Sequence, residues 1–181
     1  MVYVFLTTGF EPMETVSPVD MLRRAGVDVT TVSIVGGLEV QGAHGICIKA
    51  DRMFADVDFS DAGMLILPGG PGSPKMIEHD GLCALLKSFA ADGRPIAAIC
   101  AAPSVLGRLG ILDGRKATVY PGCGDGIENV DFTGRFVERD GNIITAIGPA
   151  ASAAFAAEII EFLCGASVRD SVCSAMQFGV R

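Results

Sequence analysis

Cys100 is the residue of this sequence best placed to act as a nucleophile. It follows an apolar run, residues 96–99, that is short enough to be a buried strand, and it precedes Ala-Ala-Pro-Ser-Val, which is typical of a helix start. A thiol at such a junction lies over the positive end of a helix dipole, which lowers its pKa from ~8.5 to roughly 3.5–7.5. We therefore predict that Cys100 is the most acidic and most reactive thiol rather than a small core residue.

Two other loops contain groups that could assist this thiol. Glu14 lies in the first turn of a predicted helix, where a carboxylate usually only stabilises the helix dipole. If Glu14 instead faces Cys100, burial raises its pKa, and the neutral acid can donate a hydrogen bond to the thiolate. Gly69 and Gly70 form an ordinary turn or, with the Ala101 N–H, an oxyanion pocket.

The sequence offers little support for catalysis by a histidine or a metal ion. The only histidines, His44 and His79, both precede Cys100, which disfavours the downstream Cys-His-Glu triad used by class I glutamine amidotransferases. We interpret His79, in a loop-like His-Asp-Gly segment, as an exposed or helix-end residue. No CxxC or zinc-knuckle spacing occurs, so we predict neither a metal site nor disulfides, and the six cysteines are expected to be reduced.

Short apolar runs alternate with helical segments along the chain. This alternation predicts an α/β sandwich, with a mainly parallel sheet covered by helices on both faces. Ligands bind beyond the carboxyl ends of such strands, so we expect the loops that follow the first, third and fourth runs to converge. The predicted strands are 2–6, 29–34, 64–67 and 96–99; the predicted helices are 12–25 (kinked or broken at Pro18), 75–91, a helix after Cys100 to about 109, and 151–164; a hairpin turn is predicted at Asp140-Gly141.

Composition limits the classes of protein and partner that this chain suits. With 181 residues, half of them apolar, it can form one core of ordinary size, and we predict a single domain over 1–181. A net charge of −7 argues against nucleic-acid and anionic-membrane partners, because both are polyanions. The N-terminus lacks the features of a signal peptide, and no apolar stretch approaches the ~18 residues of a membrane span, so we expect a cytoplasmic protein.

Four separated motifs agree in order and spacing with a known family. They are Glu14-Thr-Val-x-Pro-Val-Asp20 followed by Arg23-Arg24-Ala-Gly26, Leu67-Pro-Gly-Gly70, Ala97-Ala-Ile-Cys-Ala-Ala-Pro103, and Ile147-Gly-Pro149. Over nearly the whole chain they closely resemble the ThiJ/PfpI superfamily, specifically the branch of the human parkinsonism-associated deglycase.

The resemblance implies a fold, a site and an activity. The fold is a flavodoxin-like three-layer sandwich that forms homodimers. The site is a nucleophile elbow at Cys100, supported by Glu14 and by an oxyanion pocket of Gly69, Gly70 and Ala101. The implied activity is a weak, cofactor-independent glyoxalase or deglycase reaction of Cys100 on methylglyoxal or its adducts. The alternative is a redox-sensing or protective protein whose Cys100 is oxidised to sulfinate.

This sequence departs from the family pattern at three places. The peptidase branch has Cys-His-Gly at the elbow, whereas Ala101 follows Cys100 here, so we do not expect peptidase activity. Members with glyoxalase activity carry a histidine where this chain has Tyr120, and a phenol, protonated at neutral pH, is a poor general base. His44 lies where relatives place an arginine near the dimer interface, and it either supplies an imidazole across that interface or remains a surface residue.

Two further residues are candidate accessory groups. Arg24 belongs to the first matched motif. Cys123 lies in the loop after Tyr120, which the resemblance places near the elbow, so it is a candidate resolving thiol for Cys100. A flavodoxin-type cofactor carrier or a receiver domain is disfavoured, because the chain lacks a phosphate loop and an acidic cluster after the first strand.

Overall fold

Strands and helices alternate along the chain, as the apolar pattern predicts. The structure, a computed structural model, describes residues 1–179. Its strands are β1 (Val2–Leu6), β2 (Val29–Ser33), β3 (Glu39–Gln41), β4 (Cys47–Lys49), β5 (Arg52–Met53), β6 (Met64–Leu67), β7 (Ile96–Ile99), β8 (Lys116–Ala117), β9 (Asp131–Phe132), β10 (Val137–Asp140) and β11 (Ile143–Ala146). Its α-helices are α1 (Pro12–Arg24), α2 (Asp80–Ala91), α3 (Pro103–Arg108), α4 (Ser152–Cys164) and α5 (Ala166–Ala175).

The central sheet has seven strands in the order β10-β11-β7-β6-β1-β2-β5. All neighbouring pairs are parallel except β10 and β11, which form the antiparallel hairpin predicted at Asp140-Gly141. Successive side chains of a strand point to opposite faces, so β1 contributes to two cores. Val4 and Leu6 pack in the cluster that includes α1 and α4, whereas Phe5 packs in the cluster that includes α2 and α3. The fold is therefore the predicted flavodoxin-like three-layer sandwich.

Most predicted elements are present, and the differences lie at their ends. Pro18 lies inside α1 without ending it. The helix predicted over 75–91 begins instead as a 3₁₀ helix, Ser73–Glu78, and α2 follows it. His79 separates the two and accepts the Leu82 N–H through Nδ1 at 3.0 Å, which confirms its helix-end role. The helix after Cys100 ends at Arg108, because the backbone turns at Gly110 in the left-handed region.

The ribbon formed by β3 and β4 and the helix α5 were not predicted from the sequence. Strands β3 and β4 form a short ribbon whose turn contains His44, a non-glycine residue with a φ of 58°. Helix α5 follows α4 after Gly165 and packs on it. Among residues 1–179, no helix is both long and apolar enough to cross a membrane.

Candidate active site

The backbone at Cys100 is strained and is held by two neighbouring segments. Cys100 lies in the turn between β7 and α3 and has a φ of 64°, which is uncommon for a residue with a Cβ atom. Its N–H donates to the Ala146 carbonyl at the end of β11, and its carbonyl accepts the Tyr120 N–H, both at 2.8 Å. These bonds fix the conformation of a nucleophile elbow and present the sulfur at the carboxyl edge of the sheet.

Glu14 is a fully buried acid that lies beside this sulfur. The first turn of α1 positions it, and its Oε2 accepts the Gly69 N–H at 2.9 Å. Within the described part of the chain, its Oε1 has no partner of good hydrogen-bond geometry, and the Cys100 thiol is the polar group that interacts with the carboxyl. Burial raises the pKa of Glu14 to about 7, although its interactions with Cys100 and the Gly69 N–H act in the opposite direction.

Cys100 was expected to have a lowered pKa. When Glu14 is ionised, this expectation is wrong. Burial and the nearby Glu14 charge raise the pKa of Cys100 to about 12, although N–H groups of Gly70 and Ala101 donate to the sulfur and lower it. The helix dipole and a neutral Glu14 were expected to favour the thiolate, but Cys100 is itself buried, and α3 is a short helix of six residues. When Glu14 holds the proton, the repulsion disappears and its O–H can donate to a thiolate.

The two glycines of the loop after β6 bring the site together. The Gly69 N–H, predicted as an oxyanion donor, donates instead to Glu14, so the N–H groups of Gly70 and Ala101 are the two that face the sulfur. A Cβ on Gly69 would lie 2.5 Å from both Cys100 Cβ and Glu14 Oε2. Gly70 has a φ of +104°, and a Cβ there would lie 2.4 Å from the carbonyl oxygen of Gly9. A side chain at Gly69 would therefore separate the acid from the thiol, and one at Gly70 would push apart the loops after β1 and β6.

A cavity of about 450 Å³ lies in front of Cys100. Its walls are mostly apolar, and its polar side chains are a carboxylate, a phenol and a second thiol. A small organic molecule could lie there with its reactive carbon at the sulfur. The lining residues are Glu11, Gly70, Pro71, Pro74, Cys100, Ala101, Tyr120, Cys123 and Pro149.

The candidate accessory residues lie in different places. Tyr120 and Cys123 line the cavity, as noted above. His44 is exposed on the β3–β4 ribbon and is not part of the cavity lining; its Nε2 lies 3.6 Å from Glu11 Oε2. Arg24 is also outside the lining and pairs with Asp20 at 2.8 Å on the solvent-facing side of α1.

Glu11 is a cavity residue for which no role was predicted from the sequence. It is the N-cap of α1, and its side chain accepts the Met13 N–H at 3.4 Å while remaining largely buried. A carboxylate directly before Pro12, in a loop that follows a buried strand, is the signal that could have identified it. Among residues 1–179, no group of three His, Cys, Asp or Glu side chains is arranged to hold a metal ion.

The motifs, fold and site agree with one protein family. The model of the DJ-1/PfpI family matches residues 1–162. The chain belongs to the DJ-1/PfpI family. It is 37% identical over 174 residues to a Parkinson disease protein 7 homolog from Danio rerio, covering 93% of this chain and 92% of that protein. It is 32% identical over 166 residues to a deglycase from Pyrococcus horikoshii, covering 90% of this chain and 99% of that protein.

Solved structures of this family have the same fold. Drosophila melanogaster DJ-1beta superposes with a TM-score of 0.94 at 35% identity, covering 98% of this chain and 97% of that one. Oxidised Toxoplasma gondii DJ-1 has a TM-score of 0.91 at 31% identity and covers 98% of each chain. Some relatives are longer: DJ-1 homolog A of Arabidopsis thaliana is 36% identical over 185 residues, and the match covers 97% of this chain but 46% of that protein.

Proposed function

We propose that this protein is a cysteine-dependent, cofactor-independent glyoxalase or deglycase that acts on methylglyoxal or on its adducts with thiols and amines. The observation that carries the proposal is that the Cys100 sulfur and two N–H donors lie at a cavity of about 450 Å³, and that the buried Glu14 acid interacts with the same sulfur. The similarity to a deglycase from Pyrococcus horikoshii supports the same substrate class.

The proposed reaction begins with attack of the Cys100 thiolate on the aldehyde carbon of methylglyoxal. The N–H groups of Gly70 and Ala101 bind the oxyanion that forms, and a proton from Glu14 converts it to a hemithioacetal. Transfer of a proton from this carbon to the neighbouring carbonyl carbon, through Glu14, and of the hydroxyl proton to the carbonyl oxygen gives a thioester of a 2-hydroxy acid. Water then cleaves the thioester, which releases lactate and returns the thiol.

We expect this reaction to be slow. The proton transfer between the two carbons needs a base that can reach both, and the cavity residue where relatives carry a histidine is Tyr120. A phenol is protonated at neutral pH and does not replace an imidazole as a base. Glu14 must therefore transfer protons both at the oxygen and at the carbon atoms of the substrate.

The test is lactate formation from methylglyoxal by wild type, Cys100→Ser and Cys47→Ser. Cys47 is exposed on β4, so its variant controls for loss of an unrelated thiol. We expect a saturable rate that Cys100→Ser abolishes and Cys47→Ser leaves unchanged. Supplying the substrate as its N-acetylcysteine adduct separates a deglycase from a glyoxalase. A wild-type rate equal to that of Cys100→Ser would contradict the proposal.

Redox sensing is a second candidate function, favoured by a different observation. Glu14 presents an unpaired buried carboxyl oxygen beside the sulfur, and a protonated carboxyl can donate a hydrogen bond to an oxidised cysteine. A related structure, Toxoplasma gondii DJ-1, is described as oxidised. In this function mild peroxide converts Cys100 to the sulfinate, and Glu14→Leu loses that selectivity. Peptide mass spectrometry of both proteins tests it.

We also propose that the protein acts as a cytoplasmic homodimer. The side chains of Met13 and Val16, one turn apart on α1, are exposed, and a second copy of the chain would cover this apolar face. Light scattering after size exclusion should show a dimer for wild type and a monomer for Val16→Asp. Phe136→Asp, an equally exposed position elsewhere, should stay dimeric. A monomeric wild type would contradict the proposal.

A further inference from the structure

Cys123 is a second thiol in the cavity that contains Cys100. We propose that Cys123 is a resolving thiol, which traps the first oxidation product of Cys100 as an intramolecular disulfide. The proposal concerns the oxidation chemistry of the site. It rests on the proposed redox-sensing function in one respect, which is that Cys100 must react with peroxide. It is independent of whether the protein turns over aldehydes.

Two backbone hydrogen bonds connect the Cys123 segment to the backbone of Cys100. The Tyr120 N–H donates to the Cys100 carbonyl at 2.8 Å, and the Cys123 N–H donates to the Tyr120 carbonyl at 2.9 Å. The second bond closes a turn of four residues, and the ends of such a turn lie less than ~7 Å apart. Cys123 therefore stays near Tyr120, which is fixed directly on the elbow. Its side chain also packs against the apolar cluster that includes Cys100.

The backbone next to Cys123 can adjust to the geometry that a disulfide needs. A disulfide requires Cα atoms about 4.4–6.8 Å apart and Cβ atoms that face each other. Gly122, directly before Cys123, has a φ of +84°, and a Cβ there would meet nothing within 4 Å. Because glycine has no Cβ atom, the φ and ψ angles directly before Cys123 are less restricted than those of other residues.

The other four cysteines are not positioned for this reaction. Cys47 is exposed on β4, and Cys83 donates its S–H to the carbonyl of Ile77 at 3.3 Å. Cys164 belongs to α4 and Cys173 to α5. None of these four lines the cavity in front of Cys100. An intramolecular disulfide of Cys100 therefore has Cys123 as its partner.

The proposed chemistry consumes one peroxide for each disulfide. The Cys100 thiolate attacks a peroxide oxygen, the O–O bond breaks, and a sulfenic acid and hydroxide form. The Cys123 thiolate then attacks the Cys100 sulfur, the S–O bond breaks, and hydroxide leaves with a proton as water. In total, two thiols and one peroxide give one disulfide and two waters. The disulfide competes with a second peroxide, which would oxidise the sulfenic acid to sulfinate.

The experiment compares wild type, Cys123→Ser, Cys47→Ser and Cys173→Ser after sub-stoichiometric hydrogen peroxide. In wild type, peptide mapping without reductant should find the Cys100 peptide linked to the Cys123 peptide, and dithiothreitol should restore both thiols. A neighbouring thiol acts at an effective concentration in the millimolar range, so Cys123→Ser should accumulate about tenfold more Cys100 sulfinate than wild type. The two control variants should behave like wild type.

Two results would overturn the proposal. One is a wild type in which Cys100 proceeds to sulfinate at the same rate as in Cys123→Ser with no linked peptide. The other is a linked Cys100 peptide whose partner is another cysteine or a second chain, seen as a covalent dimer on a gel without reductant. Neither result depends on lactate formation, so each is distinguishable from failure of the proposed enzyme activity.

Discussion

Glu14 and Cys100 are two buried acids that compete for one proton. Burial is the main reason that the pKa of each is raised, and the charge of Glu14 adds to the shift of Cys100. Near neutral pH the pair therefore carries at most one negative charge. The Gly69 N–H favours that charge on the carboxylate, while N–H groups of Gly70 and Ala101 favour it on sulfur. Reactivity depends on which side chain holds the proton.

Two substitutions of Glu14 separate its hydrogen bond from its volume. Glu14→Gln keeps a donor that can face the Cys100 thiolate, whereas Glu14→Leu offers only an apolar wall. A hydrogen bond to a charged group contributes about 1.5–3 kcal/mol, which corresponds to about one or two pKa units. We expect the pKa of Cys100 to be lower in Glu14→Gln than in Glu14→Leu by about that amount. Thiolate ultraviolet absorbance against pH, with Cys100→Ser as the blank, measures it; equal values would show that Glu14 does not donate to the sulfur.

Tyr120 is the residue that we expect to limit the rate. Its side chain lines the cavity and is about half exposed, so a smaller imidazole fits at the same place. A positioned general base contributes typically about 10²–10⁴-fold, and we expect Tyr120→His to raise kcat for methylglyoxal toward that range. Tyr120→Phe is the matched control and should not raise it. Iodoacetamide should label Cys100 at nearly the same rate in all three proteins. If Tyr120→His leaves kcat unchanged, another residue acts as the base, and His44 and Glu11 would be the first candidates.

At the scale of elements, the site depends on two loops that contact each other through their backbones. The Glu11 N–H donates to the Gly69 carbonyl at 2.9 Å, and the Gly72 N–H donates to the Gly9 carbonyl at 3.2 Å. One loop follows β1 and the other follows β6, neighbouring parallel strands whose carboxyl ends share one edge of the sheet. The interlocked loops place Glu14 against Cys100 without a side chain between them.

Gly70→Ala should disrupt this contact. Its Cβ would lie 2.5 Å from the Glu11 nitrogen, and alanine is also strained at a φ of +104°. Overpacking costs about 1–3 kcal/mol and a left-handed backbone about 1–2 kcal/mol, so we expect the free energy of unfolding to fall by roughly 2–5 kcal/mol. Denaturant unfolding measures it. Gly36→Ala, where a Cβ meets nothing within 4 Å, is the control and should change stability by well under 1 kcal/mol. Similar losses in both variants would contradict the steric argument.

The sequence predicted the central elements better than the short or local ones. Strands β1, β6 and β7 have the predicted bounds, because buried parallel strands are continuous apolar runs. The β3–β4 ribbon was missed, since its three-residue strands contain polar and charged side chains and only Val40 is buried among those of β3. Helix α5 was missed because few of its positions are buried, Val172 and Cys173 being the clear ones.

The pairing of Cys100 with Glu14 in the candidate site was predictable from the sequence, whereas the accessory residues and the electrostatics were not. Motif and strand order place Cys100 and Glu14 at the same edge of the sheet, and the structure brings them together. The sequence could not show how deeply Cys100 and Glu14 are buried, and the burial of Cys100, together with the Glu14 charge, reverses the expected direction of the Cys100 pKa shift. Nor could it show that Gly69 donates to Glu14 rather than to the cavity. Such details depend on side-chain packing across three loops.

At the scale of the whole molecule, the buried acid must lower stability under some conditions. The two apolar clusters on the faces of the sheet stabilise the fold, while an ionised Glu14 inside it is poorly solvated. Folding therefore favours the protonated acid, and the folded protein binds this proton more tightly than the unfolded chain does. Reactivity and stability are coupled through the same group.

This coupling predicts how stability depends on pH. The pKa of Glu14 is raised from 4.5 to about 7 by folding, so its stabilising contribution is complete below about pH 4.5 and is lost as the pH rises through about 7. A shift of this size corresponds to about 3 kcal/mol at ~1.4 kcal/mol per pKa unit. The Cys100 pKa is also raised, so its contribution is lost only under strongly alkaline conditions.

Glu14→Gln isolates the contribution of Glu14, because the amide keeps an acceptor for the Gly69 N–H but does not titrate. Between pH 5 and pH 8, the free energy of unfolding of wild type should fall relative to that of Glu14→Gln by up to about 3 kcal/mol. Urea unfolding of both proteins across this pH range measures the difference, in which the contributions of other titrating groups cancel. Parallel pH profiles would mean that the Glu14 carboxyl has an ordinary pKa in the folded protein. Glu14 would then be ionised near neutral pH and would have no proton to share with Cys100.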